Sequence, residues 1–499
     1  MPLHNIVYMK YHNQIIIERD RMGVKPLFYY HKNGKFLYDS DIKLILADPA
    51  VKPQIDAQGI AELILLGPGR TPGHAIFKNI QQLPPATRAH YDPVADKLTL
   101  QKYWSLTDKE HADTFEQTKE KVRELLVNSI EQELAQKSRP APATNTPLSI
   151  GTFLSGGLDS SIISSVACSY LKKQGKTLET FSVDYRDNDK YFSSSKFQPN
   201  SDNVYIEEMA LFLDIKHHRI LLDTEELVTA LYDAVDARGL PGMADIDASL
   251  LLFCKKVKKH IDIAFSGEGA DEIFGGYPWF RDEIIRNRQN FPWSGSIEFR
   301  RSFLKDEIAD VIDRDYVQTR YQSATADTHI LPSASPLERR MKEMTNLNLT
   351  WFGQTLLERK HRMSTATGLT VCLPFCDYRL AEYLYTVPWE FKDYKGREKG
   401  LLREAMTGLL PDTILWRKKS PYPKTHNPAY FKAVSNKLRE VISNPDSPLL
   451  QIIKKAALEN LLTSQNPVPW YGQLMTTPQT IAYFLQINYW LEKYKVEIV

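Results

Sequence analysis

An apolar strand pattern in residues 148–154 runs directly into the turn Ser155-Gly156-Gly157 and then into a helix pattern. Two adjacent glycines allow the backbone to turn sharply and to direct successive N–H groups into one concavity. The first turn of the following helix adds unpaired N–H groups and a partial positive charge. This order of elements is typical of the phosphate-binding edge of a parallel α/β sheet.

The side chains within this turn indicate its ligand. Ser155, Ser160 and Ser161 offer hydroxyl donors to phosphate oxygens, whereas Asp159 would repel a bare phosphate. An intervening Mg²⁺ explains a carboxylate in that position. A bare Ser-Gly-Gly is more often only a turn with an N-cap serine, so the interpretation depends on the full string of residues 155–161. That string predicts a pyrophosphate site for ATP.

A second apolar strand pattern, residues 261–265, leads into the acidic, glycine-rich string SGEGADEIFGGY. Parallel strands place their carboxyl ends at one edge of the sheet, so we expect this loop to face the first one. Asp271 is then a candidate second Mg²⁺ ligand beside Asp159. Glu268 is a candidate acid/base or amine-positioning group. The alternative is that these are ordinary solvated loop carboxylates.

The patterns along the chain predict two domains, residues 1–110 and residues 111–499. The first is β-rich, and a capping box formed by Thr114 and Gln117 predicts the start of a helix after it. Strand and helix patterns then alternate, which predicts a parallel sheet, and beyond residue 280 the patterns are mostly helical. Strands are predicted in the first domain at 6–9, 14–18, 27–30, 35–38, 83–88 and 97–100, and a loop at 137–147.

Composition excludes several classes of protein. With 63 basic and 61 acidic residues the net charge is only +2, which argues against a general nucleic-acid binder. Four cysteines in 499 residues do not form a disulfide scaffold. The N-terminal residues lack the apolar core of a signal peptide, and no stretch has the length of a membrane span. We therefore expect a cytoplasmic protein with neither membrane nor nucleic-acid partners.

The two strings carry a resemblance to known enzymes. SGGLDSS resembles the pyrophosphatase-loop signature of the N-type ATP pyrophosphatase superfamily, and SGEGADEIFGGY resembles the second signature of B-type asparagine synthetases. The resemblance extends over essentially the whole chain. Further matching segments are residues 19–27, 373–377, 396–405 and 416–419.

The resemblance implies an α/β fold. Residues 111–499 would form a parallel-sheet ATP pyrophosphatase synthetase domain with a helical C-terminal part, after a partial N-terminal-nucleophile-type, β-rich glutaminase-like domain. It implies a ligase that uses ATP and Mg²⁺ to convert aspartate and an ammonia donor to asparagine, AMP and pyrophosphate through β-aspartyl-AMP. The donor would be ammonia or glutamine-derived ammonia.

The resemblance also implies roles for individual residues. Glu268 matches the glutamate that assists the attack of ammonia on the acyl adenylate. Lys399 matches the catalytic lysine that stabilises charge on the phosphates, although an isolated lysine in so polar a stretch would otherwise be interpreted as exposed. Positions lining the adenosine site are matched by Leu154, Val183, Ser266 and Gly267.

The sequence departs from its relatives in four features. Relatives begin Met-Cys and carry an N-G-E-I-Y-N-type glutamine-binding string, whereas this sequence begins Met1-Pro2 and lacks the string. We therefore expect a truncated glutaminase-like domain, ammonia-dependent synthesis, and a homodimer or a separate N-terminal glutaminase chain as partner. Thr370 and Cys372 replace a Glu/Arg pair, and His361 stands where an acidic residue is commoner.

Two alternatives remain open on the sequence. One is a related adenylating, amide-forming ligase of the β-lactam synthetase or lasso-peptide cyclase type. Glu268 argues against the β-lactam version. The other is a non-catalytic remnant of a truncated or split gene, against which the two intact loops argue.

Overall fold

The computed structural model describes residues 7–11, 14–139, 148–191, 201–463 and 468–499. Part of the predicted loop at 137–147 and residue 6 of the first predicted strand lie outside these ranges. The strands are β1 Val7–Tyr11, β2 Gln14–Glu18, β3 Phe28–Lys32, β4 Lys35–Asp39, β5 Gln54–Ile55, β6 Ile80–Gln82, β7 Thr87–Asp92, β8 Lys97–Lys102, β9 Ile150–Phe153, β10 Glu179–Tyr185, β11 Lys216–Leu222, β12 Ile263–Phe265, β13 Thr370–Cys372 and β14 Glu497–Ile498.

Helices make up most of the remaining structure. They are α1 Ile42–Leu46, α2 Ala57–Ala61, α3 Phe115–Lys137, α4 Leu158–Lys172, α5 Asn188–Tyr191, α6 Asn203–Leu213, α7 Thr224–Arg238, α8 Asp245–Val257, α9 Ala270–Phe274, α10 Glu283–Asn287, α11 Ile297–Arg301, α12 Asp306–Ala309, α13 Tyr316–Ala326, α14 Pro336–Leu347, α15 Gly353–Thr365, α16 Tyr378–Thr386, α17 Trp389–Lys392, α18 Gly400–Ala405, α19 Asp412–Leu415, α20 Pro428–Ser443, α21 Lys455–Thr463 and α22 Thr477–Lys493. No helix in the described part of the chain has the length and apolarity that crossing a membrane requires.

The predicted parallel sheet is confirmed. Its order is β11-β10-β9-β12-β13, and every neighbouring pair is parallel. From β9, the strands β10 and β11 are added successively on one side, and β12 and β13 are added on the other side. The direction of strand order therefore reverses between β9 and β12. Such a reversal opens a crevice at the carboxyl ends of the two strands, where sheets of this kind bind ligands.

Both faces of this sheet are covered, as parallel sheets require. Alternate residues of β12 point to opposite sides, so Ile263 and Phe265 join one buried cluster and Ala264 joins another. Side chains of α3, α4 and α6 belong to the first cluster, and those of α7 and α8 to the second. The sheet is therefore held rigidly between two helical layers, which fixes the position of the loops at its edge.

The N-terminal strands form two small antiparallel sheets, β1-β2-β7-β8 and β4-β3-β6. Ile17 and Ala89 from the first and Tyr29 from the second share a buried cluster with Leu27 and Leu83. The capping box of Thr114 and Gln117 at the start of α3 is confirmed. The strand predicted at 83–88 is wrong for residues 83–86, which connect β6 to β7. Pro84 and Pro85 lack the N–H groups that a sheet ladder needs.

A buried cluster of charges joins the N-terminal sheets to the remainder of the chain. Glu358 of α15 contacts Arg70, and its Oε2 lies 3.9 Å from Nη2 of Arg238. Arg238 also forms an ion pair of 2.8 Å with Asp247. Burial alone would raise the pKa of Glu358, but the surrounding arginines outweigh burial and lower it to about 2. The ionised carboxylate of Glu358 therefore connects the two regions through ion pairs.

We expect Glu358→Gln to lower the free energy of unfolding by about 3–5 kcal/mol at pH 7, because it leaves buried arginines without their partner. The folded pKa lies below the ordinary value of 4.5, so the contribution of the carboxylate is complete above that value and disappears as the pH falls toward 2. Denaturant unfolding between pH 3 and 7 should show the difference shrinking at low pH. Glu116→Gln, at an exposed pair with Lys119, is the control and should change little.

Candidate active site

A cavity of about 450 Å³ opens at the crevice between β9 and β12. This volume is in the range of small-molecule sites. Its walls come from the loops that follow β9, β10 and β12, from α15, and from the segments around residues 399 and 417–423. Most of the residues predicted from sequence line it: Leu154, Ser155, Gly157, Asp159, Ser160, Val183, Ser266, Gly267, Glu268, Asp271 and Lys399. Gly156 and Ser161 are the two predicted residues that do not.

The first glycine turn has the geometry expected of a phosphate cradle. Gly156 has a φ of +65°, and a Cβ there would lie 2.7 Å from the Cβ of Tyr205, so both conformation and space require glycine. Gly157 is the N-cap of the fifteen-residue α4. The hydroxyl of Ser160 donates to the carbonyl oxygen of Gly157 at 3.2 Å and accepts from the N–H of Ser155 at 3.2 Å. The turn is thus held by its own serines.

The second loop lies directly against the first. A Cβ at Gly267 would lie 2.9 Å from the Cβ of Asp159, so the two turns are in contact at this point. The N–H of Ser266 donates to the carbonyl oxygen of Cys372 at 3.0 Å and thereby anchors the loop to β13. The expectation that the two loops face each other across the sheet edge therefore agrees with the structure.

Lys399 joins the two acidic side chains. Its Nζ lies 2.6 Å from Oδ2 of Asp159 and 2.7 Å from Oδ1 of Asp271. Despite its polar sequence neighbourhood the residue is only 2% exposed, so the interpretation of an exposed lysine is excluded. Lys399 has a φ of +56° as the N-cap of α18, a conformation that costs energy for a non-glycine residue and that directs its side chain inward.

The two carboxylates differ in their pKa shifts. Burial raises the pKa of Asp159, and the nearby charge of Asp271 adds to this despite the opposing ammonium of Lys399. Burial also disfavours the charge on Asp271, but the ammonium groups of Lys399 and Lys419 outweigh it, so its pKa is lowered. Lys419 forms a second ion pair with Asp271. Two carboxylates at one place thus need positive charge beside them.

These carboxylates fit a divalent cation. Mg²⁺ prefers carboxylate oxygens and phosphate oxygens as ligands. Oδ1 of Asp159 is buried and has no hydrogen-bond partner among the described residues. A bound cation would stabilise the ionised form of Asp159 and lower its raised pKa. The carboxylate oxygens of Asp159 and Asp271 therefore suit the metal that the sequence predicted.

Glu268 is held in a fixed orientation on the floor of the cavity. Its Oε2 accepts a hydrogen bond from the hydroxyl of Ser266, and its Oε1 lies 2.7 Å from Nζ of Lys360. Burial would raise the pKa of Glu268, but Lys360 and Arg359 together lower it. The side chain is therefore an ionised carboxylate that can accept a proton.

Several cations that line this cavity were given no role from the sequence, among them Arg359, Lys360, Arg417 and Lys419. Arg417 pairs with Asp202, donates to the carbonyl oxygen of Ser155 at 3.3 Å, and lies 3.9 Å above the ring of Tyr205. The available signal was the density of charge in two short runs, residues 358–362 and 417–419. Buried charges need partners, so such runs in apolar surroundings indicate a polar cavity.

Three strand residues, His217 of β11 and Thr370 and Cys372 of β13, do not line the cavity. The ring nitrogens of His217 lie 2.9 Å from the hydroxyls of Thr180 and Ser182, and burial lowers its pKa to about 4, so it is a neutral bridge between β10 and β11. Thr370 and Cys372, which replace a Glu/Arg pair, do not line the cavity.

Comparison with known proteins gives two matches to protein families. The asparagine synthase family model matches residues 121–492, and the glutamine amidotransferase domain model matches residues 5–104. The chain is 42% identical over 491 residues to asparagine synthetase [glutamine-hydrolyzing] 3 of Bacillus subtilis, covering 97% of this chain and 78% of that protein. It is 24% identical to asparagine synthetase 1 of the same organism and to that of Homo sapiens, covering 65% and 60% of their lengths and 81% and 82% of its own.

Proposed function

The chain belongs to the asparagine synthase family and is a homologue of asparagine synthetases, which are carbon–nitrogen ligases, and from this premise we propose how its own residues perform the reaction. The cavity would bind ATP and aspartate. A β-carboxylate oxygen of aspartate attacks the α-phosphorus, pyrophosphate leaves, and an amine then displaces AMP from the β-aspartyl carbon. Residues 111–499 would carry this chemistry, and residues 1–110 would be the glutaminase-like domain.

The observation that carries the proposal is the contact of Asp159 and Asp271 with one lysine at the reversal of strand order. The ammonium of Lys399 would offset the negative charge that develops on the phosphates during attack. Asp159 and Asp271 would hold Mg²⁺, which would neutralise and orient phosphate oxygens when bound. Catalysis of phosphoryl and adenylyl transfer consists largely of such positioning and charge neutralisation.

The remaining predicted residues would bind the nucleotide. N–H groups and hydroxyls of the turn at Ser155, Gly156 and Gly157, with Ser160 and Ser161 of α4, would hold pyrophosphate. The adenosine would lie against Leu154, Val183, Ser266 and Gly267, at the ends of three neighbouring strands. Glu268 would accept a proton from the attacking amine.

We expect the polypeptide of residues 1–499 to form asparagine and pyrophosphate from ATP, aspartate and ammonium. We expect no synthesis with glutamine as the sole donor, because residues 5–104, which match the amidotransferase domain, contain no cysteine to act as a thiol nucleophile. The measurement is pyrophosphate release with each donor, with asparagine and glutamate quantified in the same samples.

Each outcome separates the candidates. Pyrophosphate release that does not depend on aspartate would favour a ligase with another acceptor, of the β-lactam synthetase or lasso-cyclase type. Release of glutamate from glutamine would contradict the expected donor. The absence of any aspartate-dependent exchange between ATP and pyrophosphate would contradict the proposed function itself.

A further inference from the structure

Two consecutive residues of α15 approach the carboxylate of Glu268. Lys360 is 3% exposed on its side chain, and its Nζ lies 2.7 Å from Oε1 of Glu268. Arg359 lies farther away, with Nη2 4.0 Å from the same oxygen and its guanidinium 5.1 Å above the ring of Tyr422. Although adjacent helical residues point in different directions, both cations approach the same oxygen of Glu268.

The carboxylate is thereby fixed at both oxygens. The hydroxyl of Ser266 holds Oε2, and Lys360 holds Oε1. Among the described residues, Glu268 is the only carboxylate within 4.0 Å of Nζ of Lys360, and this Nζ also lies 4.8 Å from the centre of the Phe153 ring. The ammonium therefore pairs with one carboxylate among the described residues, and that carboxylate is the group proposed to accept the amine proton.

We propose that Lys360 is a positioning residue for the amine-transfer half of the reaction, acting through Glu268. This inference rests on the proposed function. As ammonia attacks, the new N–C bond forms, the C–O bond to AMP breaks, and AMP leaves with the electron pair. The nitrogen gives up one proton, which passes to the carboxylate of Glu268. Lys360 keeps that carboxylate ionised and turned toward the cavity until the proton arrives.

Three titratable groups near Glu268, those of Cys254, Tyr422 and Cys376, stay uncharged at neutral pH. Burial raises the pKa of the Cys254 thiol of α8 to about 12 and that of the Tyr422 hydroxyl to about 12. It also raises the pKa of Cys376, whose Sγ donates to the backbone oxygen of Glu268 at 3.7 Å. The charge at this carboxylate is therefore set by Lys360 and, at longer range, by Arg359.

The test measures the two half-reactions separately in the whole chain. Aspartate-dependent exchange of labelled pyrophosphate into ATP reports adenylation, and asparagine formation with ammonium reports the complete reaction. We expect Lys360→Met to lower asparagine formation by about 10²-fold, the range of general-base effects, and to change the exchange by less than about threefold. The acidic limb of kcat/KM for ammonium should move to higher pH, because burial without Lys360 raises the pKa of Glu268.

A double-variant comparison keeps the inference testable if a lone buried carboxylate impairs folding. In a Glu268→Gln background, Lys360→Met should change asparagine formation by less than about twofold, since the group through which it acts is gone. Lys360→Arg should restore most of the activity, and Lys432→Met, on the exposed face of α20, should leave it unchanged.

Three results would overturn the inference: equal losses in both half-reactions, an unshifted acidic limb, or an undiminished loss in the Glu268→Gln background. A failure of the proposed function is distinguishable from these, because the unaltered enzyme would then show no aspartate-dependent exchange.

Discussion

Lys399→Met is expected to lower aspartate-dependent pyrophosphate release by about 10²–10³-fold, the effect of removing a group that stabilises charge in the transition state. Its ammonium lies within 2.7 Å of both Asp159 and Asp271, and methionine offers no charge to either. The two carboxylates would then repel each other in a largely buried site. We therefore also expect thermal unfolding at a lower temperature unless Mg²⁺ is added.

The control for this variant is Lys395→Met, four residues earlier in the same segment. Lys395 pairs with Glu404 and its side chain is 61% exposed, so its loss should affect neither activity nor stability measurably. Activity of Lys399→Met within about threefold of the unaltered enzyme would contradict the role of Lys399. If extra Mg²⁺ fully restores the activity of Lys399→Met, the role of Lys399 is only to neutralise the two carboxylates.

Asp271→Asn is the second variant from which a large loss is expected, roughly 10²-fold in pyrophosphate release. The amide keeps the shape of the side chain but removes the charge that pairs with Lys399 and Lys419. It also replaces a charged carboxylate ligand, which Mg²⁺ prefers, by a neutral amide oxygen. Binding of the metal with ATP should therefore weaken even where no reaction occurs.

Metal and nucleotide binding can be measured without turnover, as the increase in the free energy of unfolding that ATP with Mg²⁺ produces. A ligand present at 100 times its Kd adds about 2.7 kcal/mol to the free energy of unfolding, and Asp271→Asn should lose most of that gain. Asp262→Asn, at the opposite end of β12, is the matched control and should retain it. Equal stabilisation of both variants by ATP with Mg²⁺ would exclude Asp271 as a metal ligand.

One cation of the cavity, Arg359, has hydrogen-bonding capacity left for a substrate. Arg359 has a buried Nε with no hydrogen-bond partner among the described residues, whereas Lys360 forms an ion pair with Glu268. A substrate carboxylate that is bound rather than activated would give this guanidinium a partner. The charges of the cavity are thus compatible with aspartate as the acceptor.

Residues close together in sequence determined the two loops and their place in the fold. Gly156 beside Ser155, and Gly267 after the strand pattern at 261–265, are local features: a turn that only glycine allows, placed directly after an apolar strand. Parallel strands share a direction, so these two loops had to meet at one edge. The prediction of a strand was wrong at residues 83–86, where two prolines interrupt an otherwise strand-like run.

Apart from Lys399, which the resemblance to a known family indicated, only the tertiary structure decided which cations contact those loops. Lys399 is 240 positions away from Asp159, and apart from the resemblance to a known family nothing in its polar segment distinguishes it from Lys395. Lys360 lies within a charged helical run whose inward face cannot be identified until α15 is packed against the sheet. Local backbone preferences act over a few residues and can be read from the chain. The pairing of buried charges depends on which distant segments share one low-dielectric space, and folding alone brings those segments together.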